Sequence, residues 1–400
     1  MGRNRLKLFS HKWSQAVFLL YLLNLKTMPS AYATKVAEGF SQRLLKEMYD
    51  ISLLDTIVNR DYEGEINGVG SKLNILALDR ISEHDYVKGA ASTPDGLYEK
   101  NATLEIEKKK KFYWAEYTID KWLSYIKDPH STVVAQKADE RNMNMDKYAL
   151  GFFADVAAGN RIGTNSTAGT VTVDTSGNVT GDSTAFTAAM VGRGFKATGQ
   201  SAWYRVKSYA SATSIVIEDD LDDVASQYTG GAVNAGTEYV IEAATPLTVT
   251  TANLLDVVSA MKLRLDTAEQ NGKSSVPDAG RWMIVPPEFE TILPKATGVA
   301  LHVPEVYQEL VKKGAITMLG GFLIFKSNRL TGNNTDGYHV LAGHSNWLTF
   351  AEKLLSANLE EDIIGDFGTA YKDLFVYGGK VSDTRRHFAT EAYLKFTVAL

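Results

Sequence analysis

Residues 131–158 read STVVAQKADERNMNMDKYALGFFADVAA, and the rest of the chain is interpreted outward from them. Asp128-Pro129 just before them is a helix start: a carboxylate at the cap, then proline in the first turn, where its missing N–H costs nothing. Val134, Ala138, Met145, Tyr148, Phe152 and Val156 recur at three- and four-residue steps as one apolar stripe, broken only by Arg141. Gly159-Asn160 is a helix end. At 1.5 Å per residue such a helix is roughly 40 Å long, a girder more than an ordinary packing helix.

The 400 residues suffice for two or three domains with real cores. There is no cysteine, which excludes a disulfide framework, a thiolate metal site and a cysteine nucleophile. A net charge of −5 does not suit a nucleic-acid binder held by phosphate neutralisation.

Upstream of the girder, residues 1–27 look foreign. Arg3, Arg5, Lys7 and Lys12 precede the apolar run Ala16 to Leu23, and Ala31-Tyr32-Ala33 resembles a cleavage site. That is a signal-peptide pattern, but the run is too short to span a bilayer. The favoured expectation is upstream sequence read in frame, with translation starting at Met28. From Val36 to Asn59 an amphipathic helical stretch follows, either a core helix or an arm on a neighbour.

Tyr62 to Ile119 reads as a long hairpin. Leu73 and Ile75 alternate with polar residues on one arm, Leu104 and Ile106 on the other. The tip is polar and contains Val87, Lys88, Gly89, Pro94, Asp95 and Gly96. The arms hold too few apolar residues for a core of their own, and a two-stranded ribbon is marginal alone, so it must rest on something else, another subunit being one option. The basic run Lys108 to Lys111 beside Phe112-Tyr113-Trp114 reads as a solvated strand rather than a nucleic-acid contact, because no second basic patch joins it.

Beyond the girder the composition shifts. Ile162 to Pro246 is rich in Thr, Ser, Gly, Ala and Val, with short β-type runs separated by turn signals: a small all-β module inserted into a larger domain. Its four basic and nine acidic residues account for the whole net charge of the chain, which suits an exposed decoration. Helical periodicity returns at Ala252 to Glu269. Trp282 to Val285 reads as a buried strand stopped by Pro286-Pro287, and Ala315 to Asn328 as a strand pair or bent strand broken at Gly320-Gly321. Further strands are Tyr338–Leu341, Leu348–Ala351 and Leu374–Tyr377, the last followed by Gly378-Gly379. Without a βαβ rhythm, the class is α+β.

Catalytic and metal motifs are absent. Gly272-Lys273-Ser274 lacks the P-loop's earlier glycine, Thr267 standing there, and Trp347 sits where a nucleophile elbow after Gly343-His344-Ser345 needs glycine. Asp219-Asp220 with Asp222-Asp223 lacks calcium-loop spacing. No catalytic residue, cofactor or metal is expected.

The order of parts resembles the HK97-fold major capsid proteins of tailed bacteriophages, the P22-coat-like branch in particular. Tyr62–Glu65 through Leu73–Ile75 is similar to that family's entry into its E-loop, and Leu104–Ile106 to Thr118–Lys121 to its exit. Arg281–Pro287 resembles the A-domain strand, Tyr338–His344 with Leu348–Glu352 the following strand pair, and Tyr377–Val381 the C-terminal P-domain strand and turn. The resemblance implies an N-terminal arm at 28–61, an E-loop with P-domain strands at 62–119, and a P-domain spine helix at 120–161. It implies an inserted β domain at 162–246, an A-domain at 247–345, and a return with C-terminal strands at 346–400. It also implies self-assembly through hexamers and pentamers into an icosahedral virion head, built in the host cytoplasm. Scaffolding and portal proteins would be partners, double-stranded DNA would be touched only weakly, and no membrane is involved. The E-loop tip residues Val87, Lys88, Gly89, Pro94, Asp95 and Gly96 would contact the next subunit. Some family members join a lysine to an asparagine. Lys88 and Lys100 lie in the loop without an identifiable partner, so no crosslink is expected. Two alternatives stay open: an encapsulin-like compartment, and an exported protein whose insert binds glycans through Trp203, Tyr204 and Tyr209.

Overall fold

The computed structural model describes residues 52–62, 72–78, 99–123, 129–220, 227–268, 273–293, 296, 316–360 and 367–397. The first 51 residues and the hairpin tip lie outside the described residues, and so do the expectations placed on them. Among the described residues, contacts divide the chain into two units: one within residues 112–135 and 357–373, the other in the remainder.

The larger unit is built on a mixed sheet. Its strands run in the order Leu247–Val249, Ala389–Phe396, Gly337–His344, Arg281–Val285, Phe322–Lys326 and Ile316–Leu319. Trp282, Met283, Ile284 and Val285 are all buried, as their uninterrupted apolar run predicts. The helix Leu254–Asp266 buries Leu254, Val257, Val258, Met261 and Leu265, one face at helical spacing. Pro287 opens the short helix Pro287–Ile292. Gly320 and Gly321 have φ of +60° and +86°, which turn Ile316–Leu319 back onto Phe322–Lys326 as a tight hairpin.

A second sheet has the order Val58–Asn59, Leu348–Glu360, Gly368–Val381 and Lys108–Tyr117. The arms Lys72–Leu78 and Glu99–Glu105 pair antiparallel with Leu73 opposite Leu104, so the hairpin ends at Glu105 and Lys108–Tyr117 leaves it for this sheet. The base of the hairpin does rest on something, its own chain: Leu104 and Ile106 are buried with Ala351 and Val376, and Leu73 and Ile75 pack against them. Gly378-Gly379 does not end its strand. Gly368–Val381 runs through both, because a Cβ at Gly378 would lie 2.4 Å from the Glu105 carbonyl. These glycines admit a neighbouring backbone instead of turning the chain.

The girder is shorter than its pattern suggests. The α-helix is Pro129–Leu150, roughly 33 Å at the standard rise, and Gly151–Asp155 tightens into a 3₁₀ turn. Two causes are visible. Gly151 is a poor helix residue, and the Arg161 guanidinium takes the carbonyls of Ala154 and Val156 at 2.8 and 2.9 Å, leaving the last turn no need of continuation. Arg141, the break in the stripe, lies 4.5 Å over the Phe375 ring. Met145, Ala149 and Leu150 are buried, whereas Val134 is 44% exposed. Asp146 fixes this helix to the segments on either side of the core: it accepts from Ser52 Oγ at 2.9 Å and Leu53 N at 3.2 Å and pairs with Arg329.

Thr164 to Thr245 forms an eight-stranded sheet, with its own apolar interior around Phe186, Phe195, Tyr239, Ile215 and Ile241. Thr170–Val173 shows the expected alternation, Val171 and Val173 inward.

Candidate assembly surface and neck cluster

The smaller unit joins Phe112–Tyr117, the helix Thr118–Leu123 and the segment from Phe367 to Asp373. Trp114 stacks on Tyr371 at 5.2 Å, the Lys372 ammonium lies 5.3 Å over Tyr113, and the Phe112 amide donates to Asp373. Thr118 N donates to the carbonyl of Phe367. Around these contacts large apolar groups face solvent: Trp122 and Phe367 are each 82% exposed and Ile119 70%. Singly exposed apolar residues are ordinary, but a tryptophan, a phenylalanine and an isoleucine from two adjoining segments make a patch of the kind that meets a partner. This patch has no signature in the sequence, since Thr118–Leu123 is too short to show periodicity.

The six expected E-loop contact residues, Val87, Lys88, Gly89, Pro94, Asp95 and Gly96, lie outside the described residues. Their hairpin arms are placed, ending at Leu78 and Glu99. Lys109, Lys110 and Lys111 are exposed, as expected of a solvated strand.

The second constellation lies where the inserted domain joins the mixed sheet. The chain enters the insert through Arg161-Ile162, which pairs parallel with Glu391-Ala392, and leaves through Tyr239–Thr245, whose Ile241 pairs with Ser166. Four charged side chains meet at this neck and all are buried: Arg161, Arg193, Glu242 and Glu391. Glu391 Oε1 lies 2.7 Å from Arg193 Nη1 and 2.7 Å from His339 Nδ1, and Glu391 Oε2 is 3.6 Å from Arg161 Nε. Glu242 receives the Gly159 amide at 2.9 Å and stands 3.9 Å from Arg161 Nε. The His339 ring is stacked between Phe153 and Tyr393, and Arg193 lies over Tyr393.

The two carboxylates titrate in opposite directions. Burial alone would raise Glu391, but the His339 bond and the charges of Arg193 and Arg161 overcome it and hold the group at about 2. For Glu242 burial wins: Arg161 and the Gly159 amide offset it only in part, the Glu391 charge adds to it, and the group sits at about 7. Alongside, Arg386 binds Asp220 at 2.8 Å, and Asp220 also accepts the Ala158 amide at 2.6 Å. So the insert is not a purely exposed acidic knob. Arg193, Glu242 and Asp220, counted as surface charges in the sequence, tie it to the main body. Asp220 is thereby committed to Arg386, and among the described residues no cluster of metal-ligating side chains occurs.

Trp203, Tyr204 and Tyr209 do not share an exposed face. Tyr204 is buried edge-on against Tyr228, 4.8 Å between ring centres, while Tyr209 is exposed. Among the described residues no helix is long and apolar enough to cross a membrane.

No protein-family model matches the chain, and no curated protein matches it. Solved structures do. A structure from Mycobacterium phage Che8 is 16% identical, covers 92% of this chain and 98% of its own, and superposes with a TM-score of 0.54. The capsid of the cyanophage P-SCSP1u is 14% identical over 90% of this chain and 94% of its own, with a TM-score of 0.51. The cyanophage Pam1 capsid asymmetric unit is 11% identical over 92% and 98%, with a TM-score of 0.52. At such identities the likeness is one of fold, and it extends over nearly the whole of each chain. The chain therefore has the α+β fold of phage capsid proteins, in agreement with the HK97-like class that its order of motifs implied.

Proposed function

We propose that this protein is a major capsid protein, a structural subunit without catalytic function that self-assembles into the icosahedral head of a tailed phage. The observation that carries the reading is the fold likeness to capsid subunits over about nine-tenths of both chains. The exposed patch of Ile119, Trp122 and Phe367 supports it, because a subunit that works only in an assembly keeps apolar surface for its neighbours. In this reading residues 28–61 are the N-terminal arm, 62–119 the E-loop with its P-domain strands and 120–161 the spine-helix segment. Residues 162–246 are the insert, 247–345 the A-domain and 346–400 the return. The E-loop tip, Val87 to Gly96, reaches the next subunit, and scaffolding and portal proteins join during assembly in the host cytoplasm.

The rival readings draw less support. Two of the structures it resembles are phage capsids, which favours the head over an enzyme-storing compartment, and the aromatic trio offered for glycans is split between core and surface.

Electron microscopy of residues 28–400, expressed alone and then with neighbouring phage genes, tests the proposal. Closed shells or rings of capsomers are expected. A chain that stays monomeric under both conditions would count against it.

A further inference from the structure

We propose that Glu242, Arg161 and Glu391 form a proton-operated latch on the neck, holding the inserted domain against the mixed sheet at acid pH and loosening it as the pH rises towards neutrality. This inference stands apart from the capsid reading, since it concerns one chain and its own insert.

The insert is reached by two crossings of the chain, and each carries one member of the cluster: Arg161 on the way in and Glu242 on the way out. Both side chains are 3% exposed, so water touches either charge only at its edge while the neck is closed. Arg161 spends its terminal nitrogens on the carbonyls of Gly192, Ala154 and Val156, and its Nε makes no hydrogen bond. That nitrogen stands between Glu242 and Glu391, at 3.9 and 3.6 Å, both beyond hydrogen-bond reach. One guanidinium edge is thus shared loosely by two buried carboxyl groups. The backbone beside it is also strained: Ala243 has φ of +46°, a left-handed conformation uncommon for a residue with a Cβ.

Among the described residues, charged groups face Glu242 from several elements. Arg161 is on its own neck, Arg193 comes from the insert, and His339 and Glu391 come from the sheet strands. Lys273, Asp220 and Arg386 approach from the other side, Lys273 itself lowered by burial. Lys196 and Arg264 line, with Glu242 and Trp203, an adjoining cleft of about 290 Å³ through which water can reach the carboxyl when the neck loosens. Glu391 is held ionised throughout the physiological range, so it cannot be the switching group.

The sign follows from linkage. In the closed neck Glu242 sits at about 7, above its ordinary value of 4.5. A closed form that holds its proton more tightly than an open, hydrated form is favoured in acid. It loses ground as pH rises from about 4.5, and the effect is complete just above 7. Between pH 5 and 8 the ratio of loosened to closed neck should grow by about 70-fold.

Hydrogen exchange followed by mass spectrometry on the full chain tests this, at residues 159–166 and 239–245, with rates corrected for the intrinsic pH dependence. Extra exchange that grows between pH 5 and 8 in the wild type and is flat in Glu242→Gln is expected. A flat wild type overturns the latch. So does a slope that survives in Glu242→Gln and vanishes in His339→Asn, which would give the switch to the histidine. Should Glu242→Gln not fold, infrared titration of ¹³C-glutamate-labelled wild type decides. A buried protonated glutamic acid titrating between pH 6 and 8 supports the latch, and none in that window overturns it.

Discussion

The inserted domain and the unit of residues 112–135 and 357–373 solve the same problem in opposite ways. The insert closes a core of its own: Phe195, Tyr239, Ile215 and Ile241 are all at or below 2% exposed. The smaller unit leaves Trp122 and Phe367 four-fifths exposed. The first closes its apolar surface within one molecule, and the second leaves apolar surface in water. Breaking each should therefore produce different symptoms, one read in unfolding and the other in association.

The largest effect is expected inside the insert. Phe195 is fully buried and stacks on Tyr239 with ring centres 5.8 Å apart. Phe195→Ala should cost the insert about 3–5 kcal/mol. Chemical denaturation should then separate into two transitions, the insert melting first, while the mixed sheet keeps its midpoint. A single unshifted transition would mean the insert has no independent core.

Acid should do the reverse. His387 is buried, and burial, with the nearby charges of Lys273 and Arg385, holds it down at about 4 against the partial opposition of its bond to the Ser274 carbonyl. A histidine with a depressed pKa supports folding above its ordinary value of 6.5, and that support is lost as pH falls from 6.5 to 4. The loss for the mixed-sheet region should be on the order of 1–3 kcal/mol. Within the insert, Glu242 shifts the other way and favours the folded form in acid. Denaturation at pH 7 and pH 4.5 should thus lower the mixed-sheet midpoint alone, and His387→Gln should flatten that difference.

A smaller effect, about 1–2 kcal/mol, is expected of Gly378→Ala, since its Cβ would press on the Glu105 carbonyl and the Ile106 Cα. Proteolysis near the hairpin arms should quicken if the base of the hairpin is seated there. Unchanged cleavage would place the strain elsewhere.

What the sequence showed depends on whether apolar pattern or polar pairing does the work. The buried strand at Trp282 to Val285, the helix at Leu254–Asp266 and the alternating strands of the insert are written in their side-chain spacing. The strand Ala389–Phe396 went unread, although it is central to the mixed sheet, because Thr390 and Glu391 break its apolar run. Both are fully buried, and Glu391 is tolerable only because Arg161, Arg193 and His339 reach it from 52 to 230 positions away. No local window contains that information. Gly378-Gly379 misled for a related reason: the residue types that permit a turn also permit another backbone to come close, and only the partner strand distinguishes them. The overall α+β class is legible all the same, because it rests on the long apolar segments and not on the neck.

The smallest effect on the isolated chain, and the largest on association, belongs to Trp122. Its side chain is 82% exposed and Ile119 beside it 70%, so replacing both by serine removes little buried area within the molecule. The stability of the monomer should stay within about 0.5 kcal/mol. If the patch is completed by another subunit, however, each side chain passes from water into a closed interface on assembly, and burial of large apolar groups is worth about 1.5–3 kcal/mol apiece. Repeated at every contact of a shell, such a loss raises the concentration needed for assembly by at least tenfold. Light scattering against concentration, run beside thermal melting, separates the two terms of the comparison. Assembly at the wild-type threshold with an unchanged melt would show that this surface stays in water after all. A lowered melt would show that it belongs to the fold, as Phe195 does.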